Sequence, residues 1–331
     1  MAAHTLDVVG IGNAIVDVLA QADDSFIAAE KLTKGTMALI DQAQATTLYG
    51  KMKASVEASG GSAANTIAGV ASLGGKAAYI GKVADDALGK VFARDLRATG
   101  VRYETSPLSG GPATARCLIL VTPDAQRTMN TFLGASAEFQ PGDVDGDLVA
   151  AAQVTYLEGY LFDRDLAKDA FRQAGAYAHK AGRKVSLTLS DPFCVDRHRD
   201  DFRSFIRDHV DILFANESEI CSLYQTSDFK EAAAAVRGDA EIAVLTRSEK
   251  GATVISAQGP VDVAAAPVSR VMDTTGAGDL FAAGFLYGFT RNNDFAHCAK
   301  LGALCAAEII SHFGARPETK LSDLAAKAGL A

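Results

Sequence analysis

The heptad Asp273-Thr274-Thr275-Gly276-Ala277-Gly278-Asp279 runs straight into the apolar segment Leu280-Phe281-Ala282-Ala283-Gly284-Phe285. Small residues between carboxylates, just ahead of a helix-like run, can do two things at once. Backbone N–H groups at a helix start lack intrahelical partners, and with the helix dipole they make a pocket for an anion. Asp279, in the first turn, points a carboxylate at whatever lies beside that anion. An anion cradle at Gly276, Ala277 and Gly278 next to a general base, Asp279, is what phosphoryl transfer to an alcohol requires. The competing reading is a glycine-rich loop capped by Asp.

Other groups of residues can hold a ligand. Asn13 and Asp17 lie just past the end of a first strand, 6–12, where ligands of open α/β sheets bind. Asp17 can accept two hydrogen bonds from a vicinal diol, or it can simply cap a loop. Gly60-Gly61-Ser62-Ala63-Ala64-Asn65 is a second glycine-rich turn into a helix. Gly61 would let a ligand approach the backbone, and Asn65 offers both donor and acceptor; a tight turn with an ordinary helix cap has the same pattern. Asn216-Glu217-Ser218-Glu219 follows a strand, and its amide and carboxylates can hold a hydrated Mg²⁺, directly or through water, or can open a helix with acidic residues in its first turn. The run from Thr246 to Gly251 ends another strand and can contact a nucleotide or form a hairpin.

Two familiar phosphate motifs are ruled out. Gly10-Ile11-Gly12 fails as a dinucleotide fingerprint, because Ile15 stands where the third glycine belongs. No G-x-x-x-x-G-K-[ST] occurs, so a P-loop is not the phosphate cradle.

Composition bounds the rest. The 331 residues are 48% hydrophobic and 22% charged, a makeup with ample material for a core. A net charge of −8 speaks against nucleic acid or a membrane surface as partner. Cys117, Cys194, Cys221, Cys298 and Cys305 form no C-x-x-C pair and read as reduced, mostly buried thiols of a cytoplasmic protein. No signal peptide is evident at the N-terminus, and no uncharged apolar run reaches membrane-spanning length. The six histidines, from His4 to His312, show no metal-ligand spacing and read as structural or surface residues.

These side chains need elements to position them. Strands are expected at 6–12, 77–83, 154–161, 184–190, 211–215 and 242–246. Helices are expected at 62–73, 87–99, 165–181, 279–290 and 294–312, with 321–331 a short helix or a frayed end. Alternating strands and helices predict an α/β fold, a three-layer arrangement around a mostly parallel sheet. Two stretches break the alternation. Residues 14–54 carry no clear βα unit, and 101–139 holds two strand-like runs, 113–122 and 126–133, about a Pro123-Asp124 turn. Together they predict a small β-rich insertion able to cover a site as a lid.

In this order the pieces resemble the PfkB (ribokinase-like) family of carbohydrate and nucleoside kinases, from about Leu6 to Pro317. The Asp273–Asp279 heptad fits the family's C-terminal signature without a mismatch, and Gly60-Gly61 through Asn65 matches the N-terminal one. Ala84 and Ser248 each replace a glycine usual in the family's other motifs. The resemblance implies one ribokinase-like domain over 1–331, its lid built from 14–54 and 101–139. It implies Asp279 as base, with Gly276, Ala277 and Gly278 as the anion hole for the transferred phosphoryl group. Asn13, Asp17, Gly61 and Asn65 would hold the acceptor. Asn216, Thr246, Gly251 and Gly278 would face ATP, and Asn216 with Glu219 would organise Mg²⁺. Asp273 and Thr275 resemble part of a monovalent-cation (K⁺) site completed by backbone around Gly314.

Within the family the motifs are most similar to the adenosine kinase branch. That implies an ATP-dependent kinase acting on the 5′-hydroxyl of a ribose-containing nucleoside, adenosine foremost. The alternative is a sugar kinase of the same family, for ribose, a fructose-type sugar or a 2-keto-3-deoxygluconate-type acid; Arg116 or Arg127 would then meet the acid's carboxylate. Phe132 and Phe162 read as stacking residues or as core. The expected partners are ATP and a small molecule, and the protein is a monomer or a homodimer.

Overall fold

Short runs of apolar and β-branched residues become strands, which among the described residues form two sheets. The computed structural model describes residues 5–53, 55–124 and 126–331; His4, and Ala54 at the end of the first expected insertion, lie outside them. The strands are β1 (Leu6–Ile11), β2 (Ile15–Gln21), β3 (Met37–Leu39), β4 (Val56–Gly60), β5 (Ala77–Ile80), β6 (Arg102–Tyr103) and β7 (Ala115–Val121). There follow β8 (Arg127–Phe132), β9 (Ala152–Glu158), β10 (Lys184–Thr188), β11 (Ile212–Asn216), β12 (Ile242–Thr246), β13 (Ala252–Ser256) and β14 (Gly259–Val263).

The main sheet runs β14-β13-β12-β11-β10-β9-β1-β5-β6. From β12 to β6 every pairing is parallel, while β13 and β14 add an antiparallel edge. Successive side chains of a strand leave by opposite faces, so each buried strand feeds two cores. Val8, Tyr156, Phe214 and Val244 pack on one face with the helices Ser62–Ser72, Ala87–Ala98, Ala277–Phe289 and Phe295–Ile309. Val9, Leu157, Leu213 and Leu245 pack on the other with Asp165–Lys180, Pro192–His209 and Glu217–Tyr224. The expected three-layer α/β/α architecture is the one observed. No helix among the described residues is long and apolar enough to cross a membrane.

The second sheet runs β3-β8-β7-β2-β4. The strand-like runs at 113–122 and 126–133 are its antiparallel pair β7 and β8. Residues 14–54 hold more regular structure than their polarity suggests: β2, the helix Asp24–Ala29, β3 and the helix Gln42–Lys51. No βα unit of the main sheet was legible there because β2 pairs with β7 instead of joining β1. The β13–β14 hairpin and β4 were not anticipated either. Their alternation is short, and Val56, Glu57 and Ser59 resemble a polar loop. The expected strand 154–161 stops at Glu158 and tightens into a 3₁₀ turn, Gly159–Asp163.

One packing detail matters for the site. Gly69 lets the helix Ser62–Ser72 lie directly on Ala277–Phe289: a Cβ there would come within 2.7 Å of the Ala283 methyl. Two helix starts, at Gly61 and Gly276, are thereby held side by side.

Candidate active site

The carboxyl ends of β1, β9, β10, β11 and β12 open on a cleft of about 980 Å³, and the second sheet forms its far wall. Asn13, Asp17, Gly61, Asn65, Asn216, Glu219, Thr246, Thr275, Gly276, Ala277, Gly278 and Asp279 all line it. Residues separated by most of the chain are thus gathered where ligands of open α/β sheets bind. Gly251 and Asp273 are not part of the lining.

Asp279 stands in the first turn of Ala277–Phe289, whose N-cap Gly276 is left-handed with φ 81°. Its Oδ1 accepts from the Ser62 hydroxyl at 2.6 Å and its Oδ2 from the Asn65 amide at 2.9 Å. Enclosure by protein raises its carboxyl to about 6, while Ser62, Asn65 and the charge of Arg316 pull the other way. A carboxylate poised there can take a proton near neutral pH. Beside it, the N–H groups of Gly276, Gly278 and Asp279 donate to no described group, whereas Ala277 N–H meets the Thr274 carbonyl at 3.2 Å. Three of these donors therefore face the cleft unsatisfied, in the manner of an anion site at a helix N-terminus.

Asp17, on β2, is raised to about 6 by its enclosure and by Asp279, against the charges of Arg316 and Arg127. It accepts no hydrogen bond from a described residue, so its oxygens are open to a ligand in the cleft. Asn65 shows the complementary feature: its Oδ1 is buried without a partner. Gly61, at φ 94°, turns the chain into Ser62–Ser72, and a Cβ there would sit 2.4 Å from the Asn13 carbonyl. Only glycine fits that left-handed, crowded position.

Three residues that sequence reasoning missed hold this arrangement. Ser62 has just been described. Glu158, at the end of β9, accepts from Asn13 N–H (3.2 Å), Asn13 Nδ2 (2.7 Å) and Ala63 N–H (2.8 Å), tying the two loops together. Burial raises its carboxyl to about 7. Arg316 donates to the Ser59 carbonyl (3.0 Å from Nη2) and the Ala64 carbonyl (2.6 Å), clamping the turn from below. A carboxylate ending an otherwise apolar strand could have flagged Glu158. Arg316 follows the last long helix in a loop that carries no local signal.

The group at Asn216 is more self-contained. Asn216 and Glu219 form a complete capping box: Glu219 N–H donates to Asn216 Oδ1 at 2.9 Å, and Asn216 N–H and Nδ2 donate to the Glu219 carboxylate at 2.9 and 2.6 Å. Burial raises Glu219 to about 7. Among the described residues no cluster of three or more His, Cys, Asp or Glu could hold a metal. Thr246 ends β12 at the cleft; Gly251 closes the turn into β13, so this run is the hairpin that its sequence allowed.

Asp273 differs from expectation. Its Oδ1 accepts from Thr275 N–H and Oγ1 at 3.1 and 2.7 Å, its Oδ2 accepts from Gly314 N–H at 3.0 Å, and Arg127 pairs with it at 2.6 Å. A guanidinium already faces this carboxylate, so it does not fit a monovalent cation. Of the two roles open to Phe132 and Phe162, both take the core one. Phe162 is core, stacked on Phe202 at 4.0 Å, and Phe132 is buried below Arg116. Phe193, 76% exposed, lines the cleft instead.

Comparison with known proteins gives a consistent picture. The model described as pfkB family carbohydrate kinase matches residues 36–321. The solved structure of a probable sugar kinase protein from Rhizobium etli CFN 42 is 50% identical, with a TM-score of 0.92 over 99% of this chain and 100% of that one. Adenosine kinase from Sinorhizobium meliloti is 51% identical, with a TM-score of 0.90 over 98% of this chain and 99% of that one. Adenosine kinase of Saccharomyces cerevisiae is 27% identical over 96% of this chain and 99% of its own. The chain belongs to the pfkB family of carbohydrate kinases, phosphotransferases that act on an alcohol group.

Proposed function

We propose that the chain is an ATP-dependent nucleoside kinase that phosphorylates the 5′-hydroxyl of a ribose-containing nucleoside, adenosine foremost. One observation carries the reading: a free carboxylate and an apolar wall share the acceptor end of the cleft. Asp17 has two open acceptors suited to a vicinal diol. Around it stand Ile15, Met37, Leu39, Ile119, Met129 and Leu133 from the second sheet and its connections, with Phe193 across the cleft. A flat heterocycle uses such a wall, with the aromatic ring as a stacking face. A free sugar has no apolar part to put there. Two of the relatives named above are adenosine kinases, which agrees with this reading.

The chemistry follows from the positions. Asp17 and Asn65 orient the ribose, leaving the primary hydroxyl at Asp279. Asp279 takes its proton as the oxygen attacks the γ-phosphorus. The N–H groups of Gly276, Gly278 and Asp279 stabilise charge on the transferred group. Ala277 joins them only when its N–H leaves the Thr274 carbonyl. The second sheet acts as the lid that excludes water. Asn216 and Glu219 satisfy one another, so they suit an outer contact, through water, to a hydrated Mg²⁺ held mainly by nucleotide phosphates. That ion, when bound, neutralises phosphate charge. No step is assigned to a cation at Asp273.

A sugar-acid acceptor would need Arg116 or Arg127 at its carboxylate, and the arginine that does line the cleft, Arg197, is already paired with Asp163. Arg116 donates to Thr46 at 2.9 Å and Arg127 pairs with Asp273; neither lines the cleft. The test is product analysis with ATP and Mg²⁺. Adenosine should yield AMP with one ADP per AMP. Turnover on ribose or a fructose-type sugar with none on adenosine would overturn the reading.

A further inference from the structure

In a kinase, water is the unwanted acceptor. A base beside an anion hole can deliver a water molecule to ATP just as it delivers an alcohol. The water oxygen would form the new P–O bond, the bond from the γ-phosphorus to ADP would break, and the water's proton would go to Asp279. In the structure, however, each oxygen of Asp279 already accepts a hydrogen bond. Oδ2 is held by the Asn65 amide at 2.9 Å, and Oδ1 by the Ser62 hydroxyl at 2.6 Å.

The two donors are not alike. Both line the cleft, but Asn65 is nearly fully buried, whereas Ser62 is only partly buried. One rotation about its Cα–Cβ bond would take the hydroxyl off the carboxylate. The backbone behind it is fixed: Glu158 accepts from Ala63 N–H, and Arg316 donates to the Ser59 and Ala64 carbonyls. Ser62 is thus a hydroxyl presented to the base by a rigid turn, with a side chain free to yield.

We propose that the Ser62 hydroxyl occupies, in the empty enzyme, the place at Asp279 that the acceptor's hydroxyl takes in the complex, and that it restrains ATP hydrolysis until an acceptor displaces it. This rests on Asp279 being the base. Ser62 is a positioning residue: it acts through Asp279 and leaves it when the substrate arrives.

The idea has a pH signature. The groups that interact with Asp279 are Ser62 and Asn65 from one helix, Arg316 from the loop after the last long helix, the carboxyls of Asp17, Glu158 and Glu219 from β2, β9 and the helix Glu217–Tyr224, and the phenols of Tyr156 on β9 and Tyr160 in the turn after it. Removing the Ser62 donor raises the Asp279 carboxyl in the free enzyme. It leaves the saturated complex unchanged, because there the acceptor hydroxyl has replaced Ser62. The acid limb of kcat/KM should therefore move to higher pH in Ser62→Ala while that of kcat stays in place.

The experiment compares wild type, Ser62→Ala, Ser62→Thr, Asp279→Asn and the Ser62→Ala/Asp279→Asn double variant, with ATP and Mg²⁺, with and without adenosine. A hydrogen bond to a charged group is worth about a tenfold factor or more. Acceptor-free ATP hydrolysis should rise by about that factor in Ser62→Ala, stay near wild type in Ser62→Thr, and vanish in the double variant. Hydrolysis unchanged in Ser62→Ala, while Asp279→Asn abolishes AMP formation, would overturn the Ser62 proposal and leave the base in place. Phosphorylation of Ser62 itself, seen by mass spectrometry, would also overturn it. Full AMP formation by Asp279→Asn would remove the base reading and this proposal with it.

Discussion

The Asn65 amide donates to the Asp279 carboxylate at 2.9 Å, while its own Oδ1 is buried and bonded to nothing. A buried acceptor without a donor costs about 1–3 kcal/mol. That unpaired acceptor belongs to a residue lining the cleft and lies one atom away from a donor that orients the base. Replacing Asn65 with Ala should raise the acceptor KM by about fivefold, since one neutral hydrogen bond is worth roughly 1 kcal/mol. Its kcat should fall as well, because Asp279 loses a positioning donor. Steady-state kinetics at saturating ATP would show both. A variant with wild-type KM would place Asn65 outside the acceptor site.

Asp279→Asn keeps the shape and removes the proton acceptor. It should lower kcat by roughly two to four orders of magnitude, the range for loss of a positioned base. Acceptor affinity, measured by calorimetry in the absence of ATP, should stay within a few-fold of wild type. Wild-type turnover would show that the proton leaves by another route.

Asp17 accepts no hydrogen bond from a described residue, and enclosure holds its carboxyl near 6. Its charge is thus a cost to the fold that Arg316 and Arg127 offset only in part. Asp17→Asn should raise the melting temperature of the empty protein at pH 7.5, by roughly 1 kcal/mol or a few degrees. The same change should weaken acceptor binding at least tenfold, the lower end for a hydrogen bond to a charged group. Tighter binding together with lower stability would be the reverse of what the geometry requires.

Activity and stability should respond to pH in opposite directions. Asp279 must be ionised to act as a base, so kcat/KM should fall as pH drops through about 6. Asp17 and Asp279 rise from 3.8 to about 6, and Glu158 and Glu219 from 4.5 to about 7, in each case mainly through burial. The folded protein keeps these protons at pH values where the unfolded chain has released them. The stability this linkage provides is complete below about 4 and is lost as pH rises through 6 and 7. Asp201 and Asp124, held low by hydrogen bonds from Lys168 and Lys34, work the other way, at more acidic pH. The ligand-free enzyme should therefore melt higher at pH 5.5 than at 7.5, though it is the less active there. Thermal unfolding across that range checks the sign.

What could be read from the sequence was local. The Asp273–Asp279 heptad announces a helix start with small residues and a carboxylate, all within seven positions. The buried strands are near-continuous apolar runs, and their helices carry clear caps, as at Asp86 and Asp294. What escaped was long-range. Ser62 meets Asp279 across 217 positions and Asn13 meets Glu158 across 145, so no local pattern marks either pair. The turn at Gly60-Gly61 was legible as a turn; that Arg316 clamps it was not. Asp273 shows the reverse limit: its sequence context suggested a cation site, but the fold brings Arg127 to it from β8.

The central claim, that this cleft transfers phosphoryl to a nucleoside, is tested most directly by direct competition. Adenosine, ribose and a fructose-type sugar would be offered together with limiting enzyme, ATP and Mg²⁺, and each phosphorylated product quantified. The account predicts that AMP, with the phosphate on the 5′-oxygen, dominates the products. A sugar phosphate as the dominant product would contradict it, and would leave the apolar wall around Asp17 without the heterocycle it is argued to hold.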